Sequence, residues 1–397
     1  MSSPSPVLHP LRDADHTRVL RAALDVRADG GVPLIGDERW SDAHWRDLVA
    51  AIRSNGLPKS AAWATFTSGS TGRPRAVLRS ARSWEISFPT IDEALGVVTG
   101  DEILIPVHPV SSMALYAAAH AESRGLDFTT TAGSRLRAAD LTGPSLMHGT
   151  PTHLRDLVTL LEGGARSTLG SILIGGAGVD AELAARTRDL GLRLVTYFGA
   201  AELSLVALDH GDGLRAMKGV ELEIRDHVLW VRTEQLALGT AGAGGSLQVR
   251  HGWATVGDRA SLSHNGVLHL HGRADDAILT AGATVVPADV EVWLESIDGV
   301  NAALVYGEST PSLGQLVVAC VELTPGTRLD RRSLEAQART SLAPAQRPRR
   351  WLFVAQLPRT ASGKVRRLSP DQAADLQPFQ DLAGAHADQT LSEGVRE

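Results

Sequence analysis

A chain of 397 residues is longer than one hydrophobic core supports, so two or more domains are expected. With 43% hydrophobic and 21% charged residues it reads as an ordinary globular protein, and a net charge of −6 with a pI near 6.2 removes any general electrostatic drive toward nucleic acid or anionic lipid. A single cysteine, Cys320 inside LVVAC, excludes an internal disulfide and reads as a buried small hydrophobe; with no basic start before an apolar stretch and no run of 18 apolar residues, a cytoplasmic protein without signal peptide or membrane span is expected.

In chain order, residues 1–15 are polar and without a clear period, and are expected to be loosely ordered. Short aliphatic runs at 61–66, 102–105, 171–174 and 193–197 read as strands, while 153–161 and 180–189 carry the spacing of amphipathic helices. Such alternation predicts an α/β layered fold with parallel-type sheets and functional loops at the strand ends. From 219 to 271 the texture changes to short strands with Gly and Asn turns, as in GVELEIRDHVLWVR, which predicts a β-rich portion of the same domain. Beyond 272 it changes again. Pro287 opens PADVEVWLESI, whose Val290, Trp293, Leu294 and Ile297 lie on one helical face; strands at 302–306 and 316–323 and a helix near 330–341 follow. These readings give an N-terminal domain over 1–272, a small α+β domain over 275–375, and a polar tail at 376–397 expected to be disordered.

The stretch TSGSTGRPR at 67–75 offers backbone N–H groups and hydroxyls with little side-chain bulk, a composition suited to wrapping a polyphosphate. It is no Walker A loop, since no Gly-Lys-Ser/Thr follows and Pro74 stands where a helix would begin. Taken alone it reads more readily as a surface turn.

Six further segments change that reading: GTPTHL at 149–154, LIGGAGV at 173–179, YFGAAE at 197–202, WATVGD at 253–258, GRADDAILTAGATVVPADVE at 272–291 and PRTASGK at 358–364. In this order, over about 60–370, the set resembles the adenylate-forming superfamily: acyl- and aryl-CoA synthetases, nonribosomal peptide adenylation domains and luciferases. The resemblance implies a carboxylate attacking the α-phosphorus of ATP to give an acyl-adenylate and pyrophosphate, followed by transfer of the acyl group to a thiol. It implies ATP, Mg²⁺ and coenzyme A, and a C-terminal domain that rotates about a hinge at Asp275 between the two steps.

The same resemblance assigns roles to residues. Thr67, Ser68, Gly69, Ser70, Thr71, Gly72 and Arg75 would hold the β- and γ-phosphates, Arg75 standing where lysine is usual and adding a planar fork of donors. Gly176, Ala177, Phe198 and Gly199 would lie beside the adenine, and Asp258 and Arg273 would reach the ribose. Glu202 would hold Mg²⁺, Lys364 would bridge carboxylate and α-phosphate, and Gly282 would let pantetheine pass. His108, Met113, Tyr116, His148, Gly175 and Ala200 are candidates for the acid pocket. Between Arg347 and Arg367 stand seven basic and no acidic residues, which could meet phosphates or simply form a solvated face.

The pattern is broken in places. Phe198 keeps a ring where tyrosine is usual, while Ala201 and Val256 delete threonine hydroxyls. Only about 66 residues precede the phosphate loop, a shortening similar to the compact o-succinylbenzoate-CoA ligases, so part of the first subdomain is expected to be trimmed. The leading expectation is an acid–CoA ligase acting on a small carboxylic acid. Alternatives are an enzyme loading a carrier-protein thiol and a catalytically impaired nucleotide-binding homologue. Neither nucleic acid nor an α-amino acid is an expected partner, and aryl and acyl acids remain equally open.

Overall fold

The computed structural model describes residues 6–67, 75–131, 135–176, 178–241, 247–273, 278–280, 283–310, 314–327, 329–360, 365–368, 372–373 and 376; for Thr67, Arg75 and Arg273 it describes the backbone. The chain divides into two compact units, Met1–Asp275 with Pro358–Arg366, and Asp276–Leu357 with Arg367–Glu397.

The larger unit is built on three sheets. The central one runs in the order Arg215–Ala216, Ser204–Asp209, Arg193–Ala200, Ser171–Gly175, Leu146–Gly149, Glu102–Ile105, Asp127–Thr130. Its last five strands are parallel. The helices Ser112–Arg124, Pro151–Glu162 and Ala181–Asp189 supply the crossovers, as parallel pairing requires. Each starts on a recognisable signal. The side chains of Ser111 and Asp180 accept the backbone N–H of Met113 and Leu183, and Pro151 occupies the first turn of its helix. Helix Ser112–Arg124 ends at Gly125, whose φ of 64° closes the last turn. Its Ala114, Ala117, Ala118 and Ala121 are fully buried, and side chains this small let the helix lie close to the sheet.

A second sheet joins Leu8–Leu11, Val32–Ile35, Trp63–Thr67, Arg75–Arg79 and Gly239–Ala241. Leu8–Leu11 pairs in parallel with Val32–Ile35, and Asp15 caps helix His16–Ala28, so the expectation of loose order over the first 15 residues fails from Leu8 onward. The reason is tertiary. A four-residue strand with one buried side chain has no visible period, and its partner lies beyond an intervening helix. The third sheet is the β-rich portion between Glu221 and Arg273, as expected from its turn chemistry.

The smaller unit is α+β. Strands Val300–Thr310 and Gly314–Leu323 pair along their length, Arg350–Val354 adds in parallel, and helices Pro287–Glu295 and Arg331–Ser341 accompany them. Cys320 lies in the core of this sheet, where burial pushes its thiol up to about 12, so it behaves as the inert hydrophobe its neighbours suggested. Among the described residues no helix is long and apolar enough to cross a membrane.

Candidate active site

Parallel strands deliver their carboxyl ends to one edge, where open α/β sheets place their ligand sites. At that edge His108 follows Ile105, Thr150 follows Gly149, Gly176 follows Gly175, and Glu202 follows Ala200. A bridge between Phe66 and Ser111 brings strand Trp63–Thr67 to the same place. Thr67 and Arg75 face each other across the antiparallel pair that the loop connects; residues 68–74, with Ser68, Gly69, Ser70, Thr71 and Gly72, lie outside the described residues.

Glu202 stands in the tight connection between Arg193–Ala200 and Ser204–Asp209, only 6% exposed. Among the described residues no donor is bonded to its carboxylate. Its carbonyl oxygen accepts the N–H of Ala237 at 2.8 Å. Beside it lies Arg79, a guanidinium with 0% exposure at the end of the strand that follows residues 68–74. Arg79 donates to the carbonyl oxygens of Ala201 and Gln235, and Trp84 stacks near it at 5.8 Å. Burial lowers its pKa to about 9, opposed by the negative charge of Glu202, so it stays charged at neutral pH. One buried cation thus ties together strand Arg75–Arg79, the residue preceding Glu202, and the loop at 235. The backbone here is also strained: Ser204 holds φ 64°, and a Cβ on Gly199 would overlap the Ser204 carbonyl oxygen.

A hard divalent cation suits such an acid: Arg79 spends its hydrogen bonds on backbone carbonyls, and among the described residues no donor is bonded to the Glu202 carboxylate, so its oxygens stay available as hard ligands. Asp258 and Arg273, the two residues expected at the ribose, sit directly opposite each other in the antiparallel pair Asp258–Leu262 and Leu268–Arg273. Phe198 is half-buried against the main core, and Gly176 adopts φ 95°, a left-handed turn that ends strand Ser171–Gly175. Ala177, Asp275, Gly282 and Lys364 lie outside the described residues.

The acid-pocket candidates separate into two groups. His108 takes the backbone N–H of Val110 on Nδ1 at 3.2 Å, so its ring proton is on Nε2, which meets Glu38 at 2.9 Å. His16 stands edge-on at 4.6 Å, and burial followed by the neighbouring His108 lowers its pKa. These three are spaced for a divalent ion. The tautomer argues for a hydrogen-bonded pair instead: a ligating imidazole turns a lone pair to the metal and donates from its other nitrogen, the reverse of this arrangement. The second group lies under helix Ser112–Arg124. His148 is 2% exposed and stacks on His120 of that helix at 5.5 Å, Met113 packs at the core margin, and Gly175 is covered by the ring of Tyr197.

Residues 7–242 match the AMP-binding enzyme family and residues 289–364 match the AMP-binding enzyme C-terminal domain. This chain belongs to the AMP-binding enzyme family. It is 28% identical to an uncharacterized acyl-CoA ligase of Bacillus subtilis over 76% of this chain and 66% of that protein. It is 27% identical to a feruloyl-CoA synthase of Amycolatopsis, over 76% of this chain and 67% of the other. It therefore spans about two thirds of the length of the relatives it matches. Among solved structures it is similar to a variant of Escherichia coli MenE with bound OSB-AMS, with TM-score 0.75, 22% identity, and 88% and 84% of the two chains covered. It is similar also to the amide bond synthetase McbA of Marinactinospora thermotolerans, with TM-score 0.76, 22% identity, and 91% and 88% covered. Both show the shared fold.

Within this AMP-binding fold, reading the sequence missed Arg79, His120 and Tyr197. The signal for Arg79 was present: RAVLR buries both Val77 and Leu78, so both faces of the strand are interior and a charge at its end must be buried too. His120 and Tyr197 leave no comparable trace.

Proposed function

We propose that this member of the AMP-binding family is an ATP-dependent carboxylic acid–CoA ligase. The observation that carries the reading is the placement of Glu202: a buried acid with no donor on its carboxylate among the described residues, at the carboxyl edge of the parallel sheet, its backbone braced by Arg79 to the strand that follows residues 68–74. In the first step an acid oxygen bonds to the α-phosphorus of ATP and the bond to pyrophosphate breaks. In the second, the thiol sulfur bonds to the acyl carbon and AMP departs. Mg²⁺ at Glu202 would offset the charge gathering on the departing pyrophosphate. The loop at 67–75 would hold that group, Arg75 supplying a planar fork. Asp258 would accept from the ribose diol, with Arg273 beside it. Phe198 would offer its ring to the adenine, next to Gly176, Ala177 and Gly199.

Lys364 belongs to the same proposal as the cation that steadies charge at the reacting centre. A unit charge at about 4 Å in an effective dielectric near 20 is worth roughly 4 kcal/mol, or about a thousandfold in rate. Rotation of the 275–375 domain about Asp275, and passage of pantetheine past Gly282, complete the reading, as does a cytoplasmic site of action.

The test is pyrophosphate release from Mg·ATP over a panel of acids, with coenzyme A or a phosphopantetheinylated carrier protein as acceptor. Release with acyl transfer to free coenzyme A supports the ligase, and transfer only to the carrier assigns the chain to carrier loading. ATP binding without release over the whole panel would favour an impaired homologue, the reading that Ala201 and Val256 suggest. Lys364→Ala should abolish release. An unchanged rate in that variant removes the assignment of the lysine.

A further inference from the structure

Two imidazoles are buried in the larger unit without enough partners. Registers place His148 opposite Leu173, and Gly175 opposite Tyr197. Because side chains alternate along a strand, His148, Leu173, Gly175, Val195 and Tyr197 share one face of the central sheet. That face is the one under helix Ser112–Arg124, since His148 stacks on His120 with ring centroids 5.5 Å apart and planes 29° apart.

The state of His120 follows from its neighbours. Its Nε2 meets Asp92 at 2.7 Å, and the other oxygen of Asp92 is paired with Arg124 at 2.5 Å. A doubly engaged carboxylate accepts, so Nε2 carries the proton and Nδ1 is a bare lone pair. Among the described residues that Nδ1 has no partner, and neither has Nε2 of His148. Burial keeps both rings neutral. A buried polar nitrogen ordinarily has a partner, so each of these two calls for one. Phe88 packs against His120 at 5.1 Å, and the Tyr116 hydroxyl is already engaged with Ser87, so neither relieves them.

A hydroxyl both donates and accepts, so it can donate to His120 Nδ1 and, with the His148 tautomer that carries its proton on Nε2, accept from His148. The Tyr197 ring lies where a Cβ of Gly175 would stand, so the strand end beside the adenine segment is filled by an aromatic rather than left open. We propose that the acid activated by this protein is short and carries a hydroxyl at its far end, read by His120 and His148, with Tyr197 barring long unbranched chains. The inference rests on the ligase reading and adds to it the substrate class.

The experiment uses the full chain with Mg·ATP and pyrophosphate release on matched acids: benzoate and 4-hydroxybenzoate, 3-phenylpropanoate and its 4-hydroxyphenyl counterpart, hexanoate and 6-hydroxyhexanoate, and dodecanoate. In at least one pair the hydroxylated acid should have kcat/KM about tenfold or more above its partner, which is one hydrogen bond's worth of discrimination. In His148→Phe, which keeps a ring for stacking, that ratio should fall toward one whatever the absolute rate. Tyr197→Ala should raise dodecanoate relative to the short acids. Ratios near one for every pair in the wild type, or dodecanoate as the best acid, overturn the inference and leave the ligase reading intact. Silence with every acid overturns the ligase reading and this inference with it. Should His148→Phe fail to fold, the wild-type ratios decide alone.

Discussion

Replacing Arg79 with methionine removes a side chain that spans three segments of the site. Two charge-assisted hydrogen bonds, to Ala201 and Gln235, are lost at about 1.5–3 kcal/mol each, and both carbonyl oxygens keep their burial without that donor. Against this, the variant no longer buries a guanidinium, the cost expressed in its pKa of about 9. Methionine also fills much of the same volume without a charge. The net loss is about 2–4 kcal/mol, and at roughly 2–3 °C per kcal/mol for a unit of this size the melting temperature should fall about 5–10 °C. Calorimetry at pH 7 reads the loss directly. The Mg²⁺ concentration needed for half-maximal pyrophosphate release reads the second consequence, because Glu202 follows the residue that Arg79 holds. Arg79→Lys keeps the charge on a single point and should fall between. A melting temperature within about 1 °C of wild type would refute the bracing argument. An unchanged Mg²⁺ dependence with a lowered melting temperature would confine Arg79 to stability.

Gly199→Ala should be severely destabilising, by roughly 3 kcal/mol or more, because the new methyl overlaps the Ser204 carbonyl oxygen and lies 3.1 Å from its carbon, both backbone atoms that cannot swing aside. Gly178→Ala, with open space at its Cβ, is the matched control, and equal melting temperatures for the two would discard the steric account. Acid should weaken the larger unit. His16, His120 and His148 have folded pKa values below the ordinary 6.5, so below that value the unfolded chain takes up protons that the folded one refuses. Their contribution is complete above pH 6.5 and is lost as the pH falls, and His148→Phe should flatten the dependence of melting temperature between pH 7.5 and 5. A slope unchanged by the substitution would place the acid sensitivity elsewhere.

What could be read from the sequence was local. The strands at 102–105, 171–174 and 193–197, the helices at 153–161 and 180–189, and the proline-opened helix at 287 all follow from periodicity within a dozen residues, and the structure has an element at each. What escaped was set by distant pairing. Leu8–Leu11 becomes a strand only because Val32–Ile35 lies beside it. The partners of Arg79 are 122 and 156 residues away in sequence. His120 and His148 reveal their shared layer only once the sheet register is known.

The substitution at 201 gains a different meaning from this long-range geometry. Read as a motif, Ala201 is a lost hydroxyl and counts against full activity. In the fold, what position 201 supplies is its carbonyl oxygen, bonded to a buried guanidinium, with the following carbonyl fixed by Ala237. Two successive backbone carbonyls, each held by its own donor, lose little orientation when the side chain shrinks, so the acid at 202 can be placed without the threonine. Val256 tells the same story from the other direction: it is packed into the main core rather than facing a phosphate, and Gly257, with φ 88°, makes the turn that delivers Asp258. On this argument the two changes shift the task of positioning from hydroxyls to backbone and core, and the double variant Ala201→Thr with Val256→Thr should gain less than about threefold in pyrophosphate release. A tenfold gain would show that the hydroxyls were a real loss.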